Sequence, residues 1–435
     1  MVDHLRRARR SARVAKTGAR IYLRYKRLQR RTRGQPPHVS DPQWLRAHEK
    51  SAEEVYRLAV GLKGLFIKVG QFAGTRSDVA PEPYVRSLSR LQDAVPPRPV
   101  ARIRATIEQE LGIAADDLFA SFDDRPLAAA SLAQVHRATL ADGTPVAVKV
   151  QYPEVHDLVR LDLRNLRTMA RFVAWREPLF DYRAIVDEIG NQVPLELDFR
   201  REAAMSRRIA SNLREIPGIV IPEVVDGLVT KRVLVTHFFE GERVIGQQSR
   251  DLSVAEREEL ASRIAGAFGH QILVDGLFQA DPHPGNLLLL PDNRVALLDF
   301  GLTKELPEQI RLRFARLVIA TARRDAPGII QAFRDLGIRT GSDRPEDLFA
   351  LAGLFFDPRP LDGGRTHLRR AHASTLNRSP IEAIPGDLVL LGRVVGLLRG
   401  VSASLGVSLS PMQMLRPYAE RTLESTAAPH GEAAS

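Results

Sequence analysis

Apolar positions recur along this chain with two different periods, and the change of period divides it. From Ser51 onward, Val55, Leu58, Ala59, Leu62, Leu65, Phe66, Val69 and Phe72 fall at three- and four-residue steps, which predicts one face of a helix. Ser51-Ala-Glu-Glu54 reads as the capping box that opens it. A second helix is predicted to start around Pro81–Tyr84, where proline suits a first turn, and to stop before Pro96-Pro97. A third covers Val100–Leu111. From Asp117 the apolar runs shorten to strand length: Phe119–Phe122, Val135–Leu140 and Pro145–Val150, with Asp142-Gly143 as the hairpin turn between the last two. Helical spacing returns over Asp157–Trp175 and from Tyr182 to about Asn212. Val233–Phe239 is a β-rich run, and Ser253–Asp275 is helical again. Leu287–Leu290 and Val295–Leu298 form a hairpin, after which the pattern stays helical to about Leu423 and ends in an Ala/Ser/Gly-rich tail expected to be disordered.

Composition narrows the class. At 435 residues the chain is too long for a single core and predicts two or three units. It has no cysteine, which excludes disulfides, thiolate metal sites and thiol nucleophiles. The longest apolar stretch, Leu388–Leu405, is interrupted by Arg393, Arg399 and several glycines, so no membrane-spanning helix is expected.

Charge changes the picture more. Formal net charge is +11, and residues 1–34 alone carry thirteen Lys or Arg against one acid, Asp3. The basicity therefore belongs to an arm. Val14, Gly18, Ile21, Tyr25 and Leu28 recur in that arm at helical spacing, so it reads as a basic amphipathic helix. Three fates are open to such a helix: an anionic membrane surface, which the basic-amphipathic pattern favours; a nucleic acid, which it does not; or plain solvation. Gln35-Pro36-Pro37 marks a linker behind it.

The densest candidate chemistry lies around the last hairpin. Asp281 is followed five residues later by Asn286, and thirteen beyond that by Asp299-Phe300-Gly301. Protein kinases use this spacing to hold Mg²⁺ against ATP phosphates. The residue types suit the ion, since Mg²⁺ takes hard oxygen ligands and is held by few protein groups plus substrate phosphates. Asp299 is the candidate carboxylate ligand, Asn286 the amide oxygen, and Asp281 the group facing a phosphoryl acceptor. A solvated Asp-Pro-His-Pro-Gly-Asn turn before an ordinary hairpin is the plain alternative. His283 either merely shapes that loop or, beside Asp281, takes a catalytic role. Upstream, Lys149 in Val146-Ala-Val-Lys149 is the candidate phosphate-contacting cation. Glu196, Asp198 and Glu202 are its candidate carboxylate partners, with Glu202 favoured, against ordinary surface pairs to Arg200 and Arg201. Ala128-Ala129-Ala130-Ser131 stands where a kinase has its glycine loop; alanine is less free to adopt positive φ, so a stiffer loop is expected, an alanine-rich helix start being the alternative. Trp44 and Trp175 read as packing residues, and most of the eleven histidines as exposed.

These motifs resemble the UbiB/aarF (ADCK) family of atypical kinases from about Leu62 to Leu306, and more weakly near Leu391–Leu405. Lys68-Val-Gly-Gln71 resembles the family's Lys-x-Gly-Gln motif and continues into Arg76, Asp78, Pro81, Tyr84 and Leu91-Gln-Asp93. Ala128–Gln134 resembles its alanine-rich loop, Glu196-Leu-Asp198 its Glu-x-Asp motif, and Asp281–Asn286 its catalytic loop. The resemblance implies that Lys68 pairs with Glu196 or Asp198, and that Ala128, Ala129, Ala130, Ser131, Lys149, Thr236 and Phe238 line the nucleotide, with His237 at a position often held by glutamate. Gly74 and Met205 also depart from the usual serine and asparagine.

The resulting expectation is an α+β, two-lobed protein-kinase-like fold. Its parts are a basic arm (1–34), a helical extension folded over the cleft (35–117), an N-lobe with inserted helices (118–240), a helical C-lobe (241–425) and a short tail. The implied cofactors are ATP and Mg²⁺. The implied activity is ATP binding and hydrolysis in support of isoprenoid-quinone biosynthesis, with a lipid or quinone precursor and quinone-biosynthesis proteins as partners, at the cytoplasmic side of a membrane. A nucleotide-gated lipid-binding or scaffolding module is the second reading. A Ser/Thr protein kinase is disfavoured, because no Ala-Pro-Glu follows Gly301.

Overall fold

The chain divides into two units, Met1–Arg201 with Val225–Phe238, and Glu202–Val224 with Phe239–Ser435. The computed structural model describes residues 2–32, 42–75, 81–92, 97–177, 183–340, 381–383, 385–407 and 411–427. The expected linker at Gln35-Pro36-Pro37, the motif neighbours Arg76, Asp78 and Asp93, and the tail from residue 428 lie outside them.

The first unit sets helices against an antiparallel sheet. Its helices are α1 (Val2–Arg31), α2 (Pro42–Leu62), α3 (Leu65–Thr75), α4 (Glu82–Leu88), α5 (Val100–Leu111), α6 (Ala115–Leu118), α7 (Val155–Arg176) and α8 (Arg183–Glu196). Its strands are β1 (Phe119–Phe122), β2 (Ala128–Ala129), β3 (Ala133–Leu140), β4 (Pro145–Gln151), β6 (Val224–Val229) and β7 (Val233–His237), ordered β1-β3-β4-β7-β6 with β2 added to β3. Alternation on the pleat sends Val146, Val148 and Val150 into a core shared with Val233 and Val235, and so turns Lys149 to the opposite face.

Within this unit several local expectations give way to longer-range packing. Helix α2 starts nine residues before the expected capping box, and Ser51 sits inside it, buried, accepting a hydrogen bond from Arg24 at 2.7 Å. The helix expected to reach Phe72 breaks at Lys63 and Gly64, where φ is +59° and +61°. That reversal lets the apolar stripe on α3 turn onto a second surface. The stretch from Tyr182 to Asn212 is likewise two helices, α8 and α9 (Phe199–Asn212), interrupted at Leu197-Asp198.

The basic arm is docked on its own unit. Val14 and Leu28 are buried, and Gly18 lies against Met169 so closely that a Cβ there would meet its methyl group at 2.5 Å. Tyr25 stacks on Trp44, its hydroxyl 2.7 Å from His48 Nδ1 and 3.1 Å from the Tyr84 hydroxyl. Burial holds the Tyr25 phenol above its ordinary range and the His48 imidazole below its own. The apolar stripe of the arm is therefore spent on internal packing, and the exposed side carries Arg9, Arg13, Lys16, Arg20 and Arg27. Trp44 is core as expected, whereas Trp175 is 73% exposed. His48, His156, His237 and His283 are half-buried, and His136 and His270 are buried.

The second unit opens in α9, and so includes the segment from Glu202 to Val224 that the sequence assigned to the first lobe. It continues with β5 (Ile219–Val220), β8 (Glu242–Arg243), α10 (Gln247–Asp251) and α11 (Val254–Gly269). Next come β9 (Leu277–Gln279), β10 (Leu287–Leu289), β11 (Val295–Leu297), β12 (Thr303–Glu305), α12 (Glu308–Ala322) and α13 (Ala326–Asp335). Strands β13 (Arg339–Thr340) and β14 (Ile381–Ala383) pair antiparallel, and helices α14 (Gly386–Ser404) and α15 (Pro411–Ala427) follow. Residues 341–380, expected to be helical, lie outside the described residues. A capping box does operate here: Ser253 Oγ accepts from the Glu256 N–H while Glu256 accepts from the Ser253 N–H. The same helix ends in a π-helical turn, His270–Asp275, whose Leu273 carbonyl takes the Thr422 hydroxyl at 2.6 Å. Phe268, Phe278, Phe300 and Phe333 fill the core.

Candidate active site

In the second unit, backbone pairing assembles the Asp281–Asp299 group. β9 pairs with β12, and the Ala280 N–H donates to the Leu302 carbonyl at 2.8 Å. β10 pairs with β11, and the Leu298 N–H donates to the Asn286 carbonyl at 3.1 Å. These two ladders hold the loop 281–286 against the chain around Asp299. Within the loop, His283 Nδ1 accepts from the Gly285 N–H at 3.1 Å, and Asn286 Nδ2 donates to the Asp281 carbonyl at 3.1 Å. His283 therefore shapes the turn. Committing Nδ2 leaves the Asn286 amide oxygen, the atom a hard cation would need.

Asp299 is fixed from two sides. Its Oδ1 accepts from the Gly301 N–H at 2.9 Å, and its carbonyl accepts from the buried Gln279 side chain. Gln279 is itself held by Gln271, whose side-chain oxygen takes the Gln279 N–H at 3.0 Å. Phe300 anchors the motif in the core. Glu202, 4% exposed on α9, lies beside it: a Cβ on Gly301 would come within 3.2 Å of Asp299 Oδ1 and 3.5 Å of Glu202 Oε2. A carboxylate and an amide oxygen on rigid neighbours form a donor set that fits Mg²⁺ with phosphate supplying further oxygens.

One partner carries no local signal. Arg393 on α14 places Nη2 at 2.9 Å from Asp281 Oδ1. It was visible only as an interruption of an apolar run. A cation inside a largely buried apolar helix must find a carboxylate, and that is the signal that could have found it.

In the first unit, Lys149 on β4 holds its ammonium 5.2 Å from the centre of the Phe199 ring. Of the two partners left open for Lys68, the structure chooses Glu196, at 2.7 Å. Asp198 is taken by Arg200, which bonds it from Nε at 2.9 Å, from Nη2 at 2.7 Å and from its backbone N–H at 3.1 Å. Those Arg200 hydrogen bonds hold the Asp198 carboxyl below its usual range. The local-pair alternative is thus correct for Asp198. Gln71 lies in α3, and its side chain is outside the described residues. Gly70 packs against Leu91, with no room for a Cβ.

The alanine segment is a hairpin, not a helix start. Ala128 and Ala129 pair with Val135 and Gln134, and the Ala130 N–H donates to the Ala133 carbonyl at 2.8 Å. No residue from Ala128 to Ala133 takes a positive φ. Tyr152 pins the turn from behind, its hydroxyl donating to the Ala130 carbonyl at 3.1 Å and its N–H to the Leu132 carbonyl at 3.0 Å. Burial pushes the Tyr152 phenol up to about 12, so it stays a donor at any ordinary pH. Thr236 pairs with Ala147, and the Phe238 N–H is spent on the Pro145 carbonyl at 3.0 Å.

A strand lysine behind a β-hairpin, and a loop–hairpin pair that gathers Asp, Asn and Asp-Phe-Gly, define a kinase-like protein. The ABC1 atypical kinase-like domain model matches residues 90–333, and the chain belongs to that family. AarF domain-containing protein kinase 1 of Mus musculus is 32% identical over 388 residues, 85% of this chain and 73% of the mouse protein. The chloroplastic Protein ACTIVITY OF BC1 COMPLEX KINASE 8 of Arabidopsis thaliana is 36% identical over 63% of this chain and 37% of its own. Among solved structures, Mycobacterium tuberculosis Rv3197 in complex with erythromycin aligns with TM-score 0.62 and 26% identity, covering 85% of this chain and 96% of that one. The fold is kinase-like and α+β.

Proposed function

We propose that this protein binds Mg-ATP and hydrolyses it, in support of isoprenoid-quinone lipid biosynthesis at a membrane surface. Asp299 and Asn286 would hold Mg²⁺, which neutralises phosphate charge when bound. Lys149 would contact the phosphates, and Asp281 would orient the attacking oxygen. The observation that carries the reading is the backbone pairing of the Asn286 and Leu298 segments, which supports a shared metal role for Asn286 and Asp299. The quinone-lipid part rests on the family resemblance. Among the described residues no helix is long and apolar enough to cross a membrane. Contact with a bilayer would then fall to the exposed arginines of α1, and would weaken as salt rises.

The test is ATP binding by calorimetry and phosphate release, each with and without Mg²⁺, anionic vesicles and a quinone-precursor mimic. Mg²⁺-dependent turnover that rises with vesicles is expected; the same release with Mg²⁺ chelated would end the proposal. The absence of positive φ in the alanine hairpin favours one second reading, a nucleotide-gated binder. That reading expects tight binding with negligible release in a single-turnover assay.

Gly301→Ala probes the metal site without deleting a ligand. The added Cβ crowds Asp299 Oδ1 at 3.2 Å and only touches Glu202 Oε2 at 3.5 Å. Disturbing a ligand's supporting contacts typically costs about 10–100-fold in metal affinity, so the Mg²⁺ concentration for half-maximal turnover should rise at least about tenfold. An unshifted Mg²⁺ titration would remove Asp299 from the metal site.

A further inference from the structure

We propose that Arg393 is a positioning residue for Asp281, fixing which carboxylate oxygen faces the phosphoryl acceptor; this rests on the ATP-turnover reading above.

Helix α14 is apolar over nearly all of its packed face, with Leu388, Leu390, Leu391, Val394, Val395, Leu398 and Val401 buried. Arg393 sits among them with its side chain 15% exposed, and Asp281 opposite is 25% exposed. A guanidinium in such surroundings costs desolvation, and well-packed apolar groups often do as well or better for stability. Stability is therefore a poor reason for this residue.

The geometry of the pair points the same way. An arginine–carboxylate pair often uses the fork, as Arg10 does with Asp162, donating from Nε at 2.7 Å and from Nη2 at 2.5 Å to separate oxygens, although Arg24 and Glu54 share a single Nη bond as Arg393 and Asp281 do. Arg393 gives Asp281 a single bond, from Nη2 to Oδ1, while its Nε is buried with no hydrogen-bond partner. One oxygen is pinned and the other is left over. Asn286 and His283 fix the backbone of Asp281, through its carbonyl at 3.1 Å and 2.8 Å, but leave the carboxylate free to rotate. Arg393 removes that rotation, so Oδ2 is presented to the acceptor. In the step served, the acceptor oxygen bonds to the γ-phosphorus as the bond to the ADP oxygen breaks, and the acceptor's proton leaves toward Oδ2. A carboxylate misplaced by an ångström forfeits much of its contribution.

The experiment is steady-state ATP turnover by the full chain and by Arg393→Met, Arg393→Lys, Asp281→Asn and the Arg393→Met/Asp281→Asn double variant, with Asp299→Asn as the control for the parent reading. Met fits the apolar neighbours of α14, and Asp281, 25% exposed, keeps access to water once unpaired, so the thermal midpoint should fall by no more than a few degrees. For Arg393→Met, kcat should fall about 10–100-fold while KM for Mg-ATP stays within about threefold, a loss confined to the chemical step. Arg393→Lys should recover part of kcat by restoring one donor. The double variant should be no slower than Asp281→Asn alone, since Arg393 acts through Asp281. Turnover equal to or above that of the unaltered chain in Arg393→Met overturns the proposal, the increase marking the pair as a restraint. So does a double variant whose losses multiply. If Arg393→Met loses the fold, Arg393→Lys decides: an unchanged kcat there overturns the proposal. Absence of turnover in the unaltered chain removes the parent reading and this one together, whereas turnover abolished by Asp299→Asn yet untouched by the Arg393 variants removes this one alone.

Discussion

Asp299→Asn should abolish Mg²⁺-dependent ATP turnover, by on the order of a thousandfold in kcat/KM, while moving the thermal midpoint by no more than about two degrees. The two halves of this expectation have separate causes. Asparagine keeps a side-chain oxygen where Oδ1 now accepts the Gly301 N–H at 2.9 Å, so the turn after β11 retains its bond. Phe300 remains in the core, and the Gln279 bond is to the Asp299 backbone, which does not change. What disappears is the negative charge, and with it the ligand best able to hold a divalent cation against phosphate. Removing one preorganised electrostatic group from a transition state costs about a hundred- to a thousandfold, and a metal ligand belongs at the upper end. Phosphate release and differential scanning fluorimetry on the same preparation check both halves. Undiminished release in the folded variant would mean that hydrolysis occurs elsewhere on the chain.

How much of this could be read from sequence depended on the range over which each residue finds its partner. Helix α5 and the β3–β4 hairpin with its Asp142-Gly143 turn followed from local spacing, because their decisive bonds are local. The break at Lys63-Gly64 did not. The apolar period runs straight through it, and the Arg10 bonds to the Leu62 carbonyl at 2.6 Å and the Lys63 carbonyl at 3.2 Å help to satisfy the carbonyls freed where the helix ends. Strand β6 was missed because Asp226-Gly227 interrupts its alternation, and β5, β8, β9 and β12 because two or three residues carry no period at all. In the candidate site, residue types at fixed offsets located Asp281, Asn286 and Asp299. Which carboxylate each cation would take was another matter. Lys68 to Glu196 and Arg200 to Asp198 are choices between near neighbours, set by the interruption at Leu197-Asp198. The partner of Arg393 lies 112 residues away, and no local rule reaches that far.

The docking of the arm rests on a long-range partner that local spacing does not reveal, and Asp162→Ala should expose it. Asp162 is 0% exposed on α7 and holds Arg10 of α1 through both carboxylate oxygens, although 152 residues separate the two. Burial pushes the Asp162 carboxyl up, and the Arg10 bonds draw it back only part of the way. The charged pair is thus expensive to form and still more expensive to break. Alanine at 162 leaves the Arg10 guanidinium, itself only 10% exposed, without a counterion. Breaking one side of a buried pair costs about 3–5 kcal/mol, so denaturant unfolding of the full chain should show a loss of that order. Replacing both partners, as Arg10→Met with Asp162→Leu, should recover most of it, since apolar groups of similar volume satisfy a buried site without stranding a charge. A free, solvated arm predicts the opposite pattern: little change in either variant. Equal stability of Asp162→Ala and the unaltered chain would mean that this pair does not hold α1 to α7.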